Sequence, residues 1–231
     1  MARNLSLTER IEDSREQQNI RRIVHFNLHE IKERFDNSIL DIENKFLIYE
    51  ELVNDGKNNE SKDILRSQIV FLEGVVDFYL HEMTKYSYYK MFLDEWDKTS
   101  QYKRIDVKME IVEKGLNAVS SREWFFEYIT DIFSRTVFLS YESMHDQLNA
   151  IGIPYNDVMH AVFNERTVND SAKKGKIFIS ELFNRRNAIA HQIDRSHDSA
   201  IQNEIEEEYV KYNIDIVKKI AHEIFLIANS K

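Results

Sequence analysis

The sequence predicts an all-α protein, a helical bundle preceded by an N-terminal helical extension. Only five glycines and one proline occur in 231 residues, and both residue types interrupt helices. Apolar residues recur at helical spacing over most of the chain, most regularly from Leu65 to Met83. A single stretch, Ile105 to Ile111, alternates as a strand would, and no second one exists to pair with it. We therefore expect long helices joined by short turns.

Composition and charge limit the classes of protein to which the chain can belong. The absence of cysteine excludes disulfides, thiolate zinc sites and cysteine nucleophiles. The N-terminus lacks the apolar core of a signal peptide, and the longest apolar runs are far shorter than the ~20 residues that span a bilayer. We therefore expect a cytoplasmic protein without a membrane segment. The formal charge of −9 repels nucleic acid on average, so any such site must be a local basic patch.

The first 60 residues are predicted to form the helical extension. Ser6 and Glu9 have capping-box spacing, and they open a helix whose apolar pattern continues to Ile31. A second amphipathic stretch covers about residues 39–52 and ends at the polar segment 54–59, which is the clearest linker in the chain. These features divide the chain into the extension, residues 1–60, and the bundle domain, residues 61–231.

The bundle domain is predicted to contain the remaining helices. We interpret Ile105 to Ile111 as an extended lead-in to a helix that reaches Leu116. Ser120 and Glu123 form a capping box for the next helix, and the Gly and Pro of Ile151-Gly-Ile-Pro154 end a later one. The polar stretch Thr167 to Lys176 is predicted to be a loop, and the last two helices to cover about Ile177–His191 and Ile201–Ala228.

The segment RRNAIAHQ, residues 185–192, places strongly polar groups near the end of a predicted helix. An imidazole titrates close to neutral pH, so His191 can take a proton from a ribose 2′-hydroxyl or give one to a leaving 5′-oxygen. The guanidinium of Arg186 stays charged and can hold two phosphate oxygens. Asn187 lies four residues before His191, where its amide can orient the ring or a phosphate. These three are candidate catalytic residues for RNA cleavage without a metal.

An arginine followed by a histidine at this spacing occurs roughly once by chance in such a chain, so context has to add specificity. The segment Arg186 to His191 resembles the HEPN superfamily, helical bundles whose signature is Arg, a polar residue, three to five further residues and His. The apolar helix from Leu65 to Met83 resembles the early core helix of that group. Among its branches, the RiboL-PSP type is most similar, through Tyr141–Leu148 and the Ile151-Gly-Ile-Pro break.

The sequence also departs from some HEPN proteins. Members that are controlled by nucleotidyltransferases carry Tyr two residues after the His, where this chain has Ile193. Many members carry Gly directly after the His, where this chain has Gln192. Control by modification of that tyrosine is therefore not expected here.

The resemblance implies a metal-independent endoribonuclease that leaves 2′,3′-cyclic phosphate ends, needs no cofactor, and acts in a toxin or phage-defence role. It implies RNA as substrate and an antitoxin or regulatory protein as a further partner. It also implies a homodimer. Arg186 and His191 are about 140° apart around one helix, and two facing helices would supply two of each residue to one cleft.

Two other interpretations remain open. The chain can be a non-catalytic HEPN-like module that binds RNA or a protein as a dimer, or a purely structural helical dimer. In both cases Arg186 and His191 would serve as cations at the negative end of a helix dipole.

Positive charge is concentrated around the motif. Residues 166–197 contain seven Lys or Arg and three Asp or Glu, a local net charge of +4 in a chain of −9. Phosphate binding requires such a patch, although a solvated basic loop would have the same composition. The residues predicted to bind RNA are Lys173, Lys174, Lys176, Arg185 and Arg195.

A histidine pair near the N-terminus has the spacing of metal ligands. His25 and His29 are four residues apart and could share one ion if a third ligand came from elsewhere. The H-E-x-x-H pattern is absent, so we predict no metal site.

Overall fold

The computed structural model describes residues 24–117, 122–195 and 201–231. In these ranges the chain forms helices and no strand, with only an isolated bridge between Arg195 and Gln202, so the all-α prediction is confirmed. The predicted capping boxes at Ser6 and Ser120 lie outside the described residues. The helices are α1 (Leu28–Glu43), α2 (Lys45–Asn54), α3 (Asn58–Phe92), α4 (Met109–Asn117), α5 (Glu123–Phe133), α6 (Tyr141–Ala150), α7 (Tyr155–Phe163), α8 (Val168–Gln192) and α9 (Glu207–Asn229).

The 35-residue helix α3 is the centre of the bundle. Its predicted apolar stripe is buried, with Leu65, Ile69, Leu72 and Met83 completely inaccessible to solvent. Helices α1, α2, α5, α8 and α9 all pack against it. Because α3 spans roughly 50 Å at 1.5 Å per residue, it contacts partners from both ends of the chain.

The N-terminal helices begin and end differently from the prediction. α1 starts at Leu28, where the Asn27 side chain accepts from the amide of Glu30 and the Glu30 carboxylate accepts from the amide of Asn27. This capping box fixes a helix start at Leu28, so the helix predicted to run through Val24 to Ile31 is wrong for residues 24–27 and right from Leu28 onward. Asn44 then separates α1 from α2, which divides the amphipathic stretch predicted over residues 39–52.

The predicted linker is a short turn between α2 and α3. Ile31, Phe35 and Ile39 of α1 belong to the same buried cluster as Leu65 and Leu72 of α3. Residues on both sides of position 60 therefore share one core. Where the HEPN-like part begins stays a prediction.

The segment Thr167 to Lys176, predicted to be a loop, is the start of α8. Thr167 caps the helix, because its hydroxyl oxygen accepts from the amide of Asp170. Gly175 is buried where α7 crosses α8, and a Cβ at this position would lie 2.4 Å from Sδ of Met159. The polar composition misled the prediction because this stretch buries only small residues, Ser171 and Gly175, against α7.

The remaining boundaries agree with the sequence more closely. Residues 105–108 have no regular secondary structure and lead into α4, with Ile105 in an extended conformation. α6 ends at Ala150 before Gly152, which has φ +78°. The last helix starts at Glu207, six residues later than predicted.

No helix in the described ranges combines the length and the apolar character needed to cross a membrane.

Candidate functional site

The C-terminal end of α8 carries the residues of the predicted motif. α8 continues without a break to Gln192, so His191 lies in its last turn. Arg185, Arg186 and Asn187 are half-buried, whereas His191 is exposed. The imidazole is therefore accessible to a solute at the end of a helix whose turns up to Leu182 are packed into the bundle.

Arg186 and Asn187 are paired through their side chains. Nη1 of Arg186 donates a hydrogen bond of 3.0 Å to Oδ1 of Asn187. Neither residue forms a hydrogen bond with the His191 side chain within the described part of the chain. Since α8 is regular through all three positions, Arg186 and His191 lie on different sides of it, and one chain does not direct both at the same atom.

The buried carboxyl of Glu73, on α3, lies within electrostatic reach of Arg186. Glu73 is 3% exposed, and its Oε2 has no hydrogen-bond partner in the described residues. Burial raises the pKa of Glu73 to about 8, the positive charge of Arg186 opposes this rise, and Asp77 adds to it. Nε of Arg186 is likewise buried and unpaired within the same ranges. Glu73 also lines a small apolar cavity between α3, α8 and α9.

Arg185 belongs to a buried ion-pair network rather than to the exposed surface. Its Nη2 donates to Oδ2 of Asp194 at 2.7 Å and to the backbone oxygen of Glu204 at 2.8 Å. Oδ2 of Asp194 also accepts from Nε of Arg66 at 3.0 Å, and Asp194 is completely buried. The role predicted for Arg185 in RNA binding stays a prediction, but this guanidinium already serves to hold the turn after α8.

The predicted RNA-binding lysines lie on the first half of α8. Each has an acidic neighbour: Lys174 contacts Glu165 at 2.6 Å, and Lys173 and Lys176 lie 3.9 Å and 4.0 Å from Asp170 and Glu142. They are roughly 15–20 Å from Arg186 along the helix axis, at 1.5 Å per residue. An RNA that contacts both groups would therefore have to follow α8. Arg195 lies beyond the helix end, in the bridge with Gln202.

The two histidines with metal-ligand spacing pack against aromatic rings. His25 stacks on Phe126 with ring centroids 3.7 Å apart, and His29 meets the edge of Phe225 at 5.3 Å. In the described ranges, no three His, Asp or Glu side chains are grouped as metal ligands would be.

The buried charged and polar residues that surround the motif were not predicted from the sequence. Arg66 and Glu73 are seven residues apart, next to the apolar stripe of α3, and both are buried. Two ionisable residues at helical spacing beside a core stripe are the signal that could have found them. Asp194 and Asn203 had no such signal, because their burial depends on how the chain turns after α8.

No family model, no curated protein and no solved structure matches the chain.

Proposed function

We propose that the protein is a metal-independent endoribonuclease of HEPN type that acts as a homodimer. The observation that carries this proposal is the exposed imidazole of His191 in the last turn of α8, five positions after Arg186. Support also comes from the Arg-Asn-x-x-x-His segment, which resembles the HEPN signature. The exposed ring suits proton transfer to a substrate, which a ring packed into the core could not perform.

The proposed reaction is an internal transesterification. One neutral imidazole removes the proton from a ribose 2′-hydroxyl, and the 2′-oxygen attacks the adjacent phosphorus. The bond to the 5′-oxygen breaks, and a protonated imidazole supplies the proton that the leaving group needs. The products are a 2′,3′-cyclic phosphate and a free 5′-hydroxyl. Arg186 stabilises the negative charge that develops on the phosphoryl oxygens, and Asn187 orients the guanidinium through their hydrogen bond.

A dimer provides what one chain lacks. Arg186 and His191 are about 140° apart around α8, so a single copy presents them poorly to one phosphate. In a symmetric dimer, the His191 of one chain can lie opposite the Arg186 of the other. Two imidazoles in one cleft also supply both the base and the acid.

The proposed setting is a toxin or phage-defence system, with RNA as substrate and an antitoxin or regulatory protein as partner. Lys173, Lys174, Lys176, Arg185 and Arg195 are proposed to contact the RNA backbone, with no metal or other cofactor taking part. The competing proposal is a non-catalytic dimeric module that binds RNA or a protein. Such a module would bind its partner through the same Lys and Arg side chains, and His191 would transfer no proton.

The test is incubation of the purified protein with mixed RNAs in EDTA. The endoribonuclease proposal predicts fragments that carry 2′,3′-cyclic phosphates. If the protein retains RNA without cleaving it, the binding module is favoured. If it neither retains nor cleaves RNA, the purely structural dimer is the remaining interpretation. Because nuclease contamination is the main artefact, His191→Ala and His222→Ala are prepared in parallel. His222 is an exposed histidine on α9, and its substitution should not change the rate.

A further inference from the structure

The two residues that follow α8 have an unusual backbone conformation. Ile193 has φ +51° and Asp194 has φ +58°, both in the left-handed region that favours glycine. A β-branched residue such as isoleucine is strained there, because its side chain crowds the backbone. Such a conformation persists only where the surrounding structure enforces it. This strained turn begins two residues after His191.

The buried carboxylate of Asp194 provides that enforcement. Oδ2 accepts from Arg66 and from Arg185, and Oδ1 accepts from the Asn203 side chain at 3.2 Å. Arg66 is itself only 6% exposed, and its Nη2 donates to the backbone oxygen of Asn203 at 2.8 Å. The carboxylate is thus fully buried and bonded on both oxygens, to partners on α3, on α8 and in the segment before α9. We call these residues, Arg66, Arg185, Asp194 and Asn203, the Asp194 clasp.

Backbone hydrogen bonds connect the clasp to the end of α8. The amide of Asp194 donates to the carbonyl of Ala188 at 2.9 Å, which closes the last turn around His191. The amide of Asn203 donates to the carbonyl of Asp194 at 2.7 Å. The Gln202 side chain donates to the carbonyl of Ile193 at 3.1 Å. The turn is therefore fixed by two sets of contacts. The buried Asp194 carboxylate binds it to the bundle, and hydrogen bonds to Gln202 and Asn203 bind it to the segment before α9.

We propose that Arg66 and Asp194 are positioning residues that hold the last turn of α8, and so the exposed His191, in one place. The last turn of a helix has free carbonyls and frays unless something caps it. The last buried side chain of α8 is Leu182, and among the hydrophobic side chains beyond it only the partly buried Ile189 packs against the core. Core packing therefore contributes little to fixing these turns. A general base that moved with a fraying turn would lose the geometry on which proton transfer depends. The role in catalysis rests on the proposed ribonuclease function.

The first test is Asp194→Asn, with Asp63→Asn as the matched control. Asparagine tolerates the left-handed conformation, so this change removes the charge of the clasp while keeping its shape. Asp63 is an exposed carboxylate that binds the same guanidinium of Arg66, at 3.1 Å, but does not touch the end of α8. With RNA as substrate, Asp194→Asn should lower kcat about 100-fold. Any change in KM that follows from the loss of the Arg185–Asp194 ion pair should be much smaller, because Arg186 is untouched. Asp63→Asn should match the parent.

A purely structural role predicts a different pattern. Asp194→Asn would then melt at a lower temperature but, well below that temperature, would keep the kcat of the parent. That result would overturn the proposal. If Asp194→Asn does not fold, Arg66→Lys replaces it, since an ammonium keeps the charge but not the two directed bonds to Asp194 and Asn203. We expect an intermediate loss of kcat for Arg66→Lys, and an unchanged kcat would again overturn the proposal.

Amide hydrogen exchange gives a readout that does not need RNA cleavage. In the Asp194→Asn variant, the amides of residues 191, 194 and 203 should exchange at least about tenfold faster, while those near Leu182 keep the parental rate. Equal exchange at residue 191 in both proteins would refute the clasp. If the parent does not cleave RNA, the ribonuclease proposal fails, and hydrogen exchange still decides whether the clasp orders the His191 turn.

Discussion

Arg186 on α8 and Glu73 on α3 interact electrostatically, and each retains a buried polar atom that is unpaired among the described residues. Burial raises the pKa of Glu73 from its ordinary value of 4.5 to about 8, and the Arg186 charge limits the rise. The folded protein therefore keeps a proton that the unfolded chain releases as the pH passes 4.5. A neutral carboxyl beside the candidate catalytic arginine makes the stability of the protein depend on pH.

Glu73→Gln should stabilise the protein at high pH. A raised pKa gives stability that is fully present below pH 4.5 and is lost as the pH rises towards about 8. The loss is roughly 1.4 kcal/mol for each pH unit in that window. Glutamine resembles the protonated acid and does not titrate, so its free energy of unfolding should exceed that of the parent at pH 8 and approach it near pH 5. Urea unfolding at several pH values measures this difference.

The control for this pH dependence is Glu60→Gln. Glu60 is exposed in the first turn of α3, and its replacement should not produce a difference that grows with pH. A gap between Glu73→Gln and the parent that stays constant from pH 5 to about 8 would show that Glu73 is ionised in the folded protein, contrary to the effect of burial.

Arg186→Lys should not restore the RNA cleavage that Arg186→Ala removes. Both variants should cleave RNA more slowly, by about 100-fold or more, because an ammonium cannot reproduce the planar two-oxygen contact with a phosphate. Arg186→Ala should also bind RNA more weakly. Gel-based cleavage and filter binding separate the two effects, with Arg135→Ala, at an exposed arginine, as the control. Full activity of Arg186→Lys would mean that only positive charge is needed.

Two glycines in helices should respond in opposite ways to alanine. Apart from its chain neighbours and the backbone of its own helix, no described atom lies within 4 Å of the Cβ position at Gly74 of α3. Gly74→Ala should therefore stabilise by up to about 1 kcal/mol through helix propensity. At Gly175 of α8, a Cβ would meet the completely buried Met159 and Tyr155. Gly175→Ala should therefore destabilise by about 1–3 kcal/mol. Thermal unfolding measures both, and stabilisation at Gly175 would show that α7 and α8 separate easily.

The protein should be a homodimer in solution. Light scattering at micromolar concentration should give about twice the 27.6 kDa of one chain. A monomer that still cleaves RNA would contradict a site composed of residues from two chains. An equimolar mixture of His191→Ala and Arg186→Ala should regain part of the activity, because a mixed dimer holds one intact His191 and one intact Arg186 across the cleft.

The sequence was sufficient for features that depend on periodicity. The stripe of α3 and the break at Gly152 both follow from local spacing, and the structure confirms them. The start of α8 was wrong because the stretch Thr167 to Lys176 is polar in composition. In the structure it buries only Ser171 and Gly175, and the missing side chain of Gly175 lets α7 approach closely. Asp194 was missed for a related reason: its burial is created by Arg66, 128 residues earlier in the chain, and local sequence does not encode that pairing.

The most direct test of the account compares melting temperature with RNA cleavage for His191→Ala. His191 is exposed, so its replacement should leave the melting temperature close to that of the parent. If the imidazole transfers the proton, cleavage in EDTA should fall by two orders of magnitude or more, while His222→Ala stays fully active. If His191→Ala melts like the parent and cleaves RNA equally fast, His191 is only the end of a helix and the proposed mechanism is wrong.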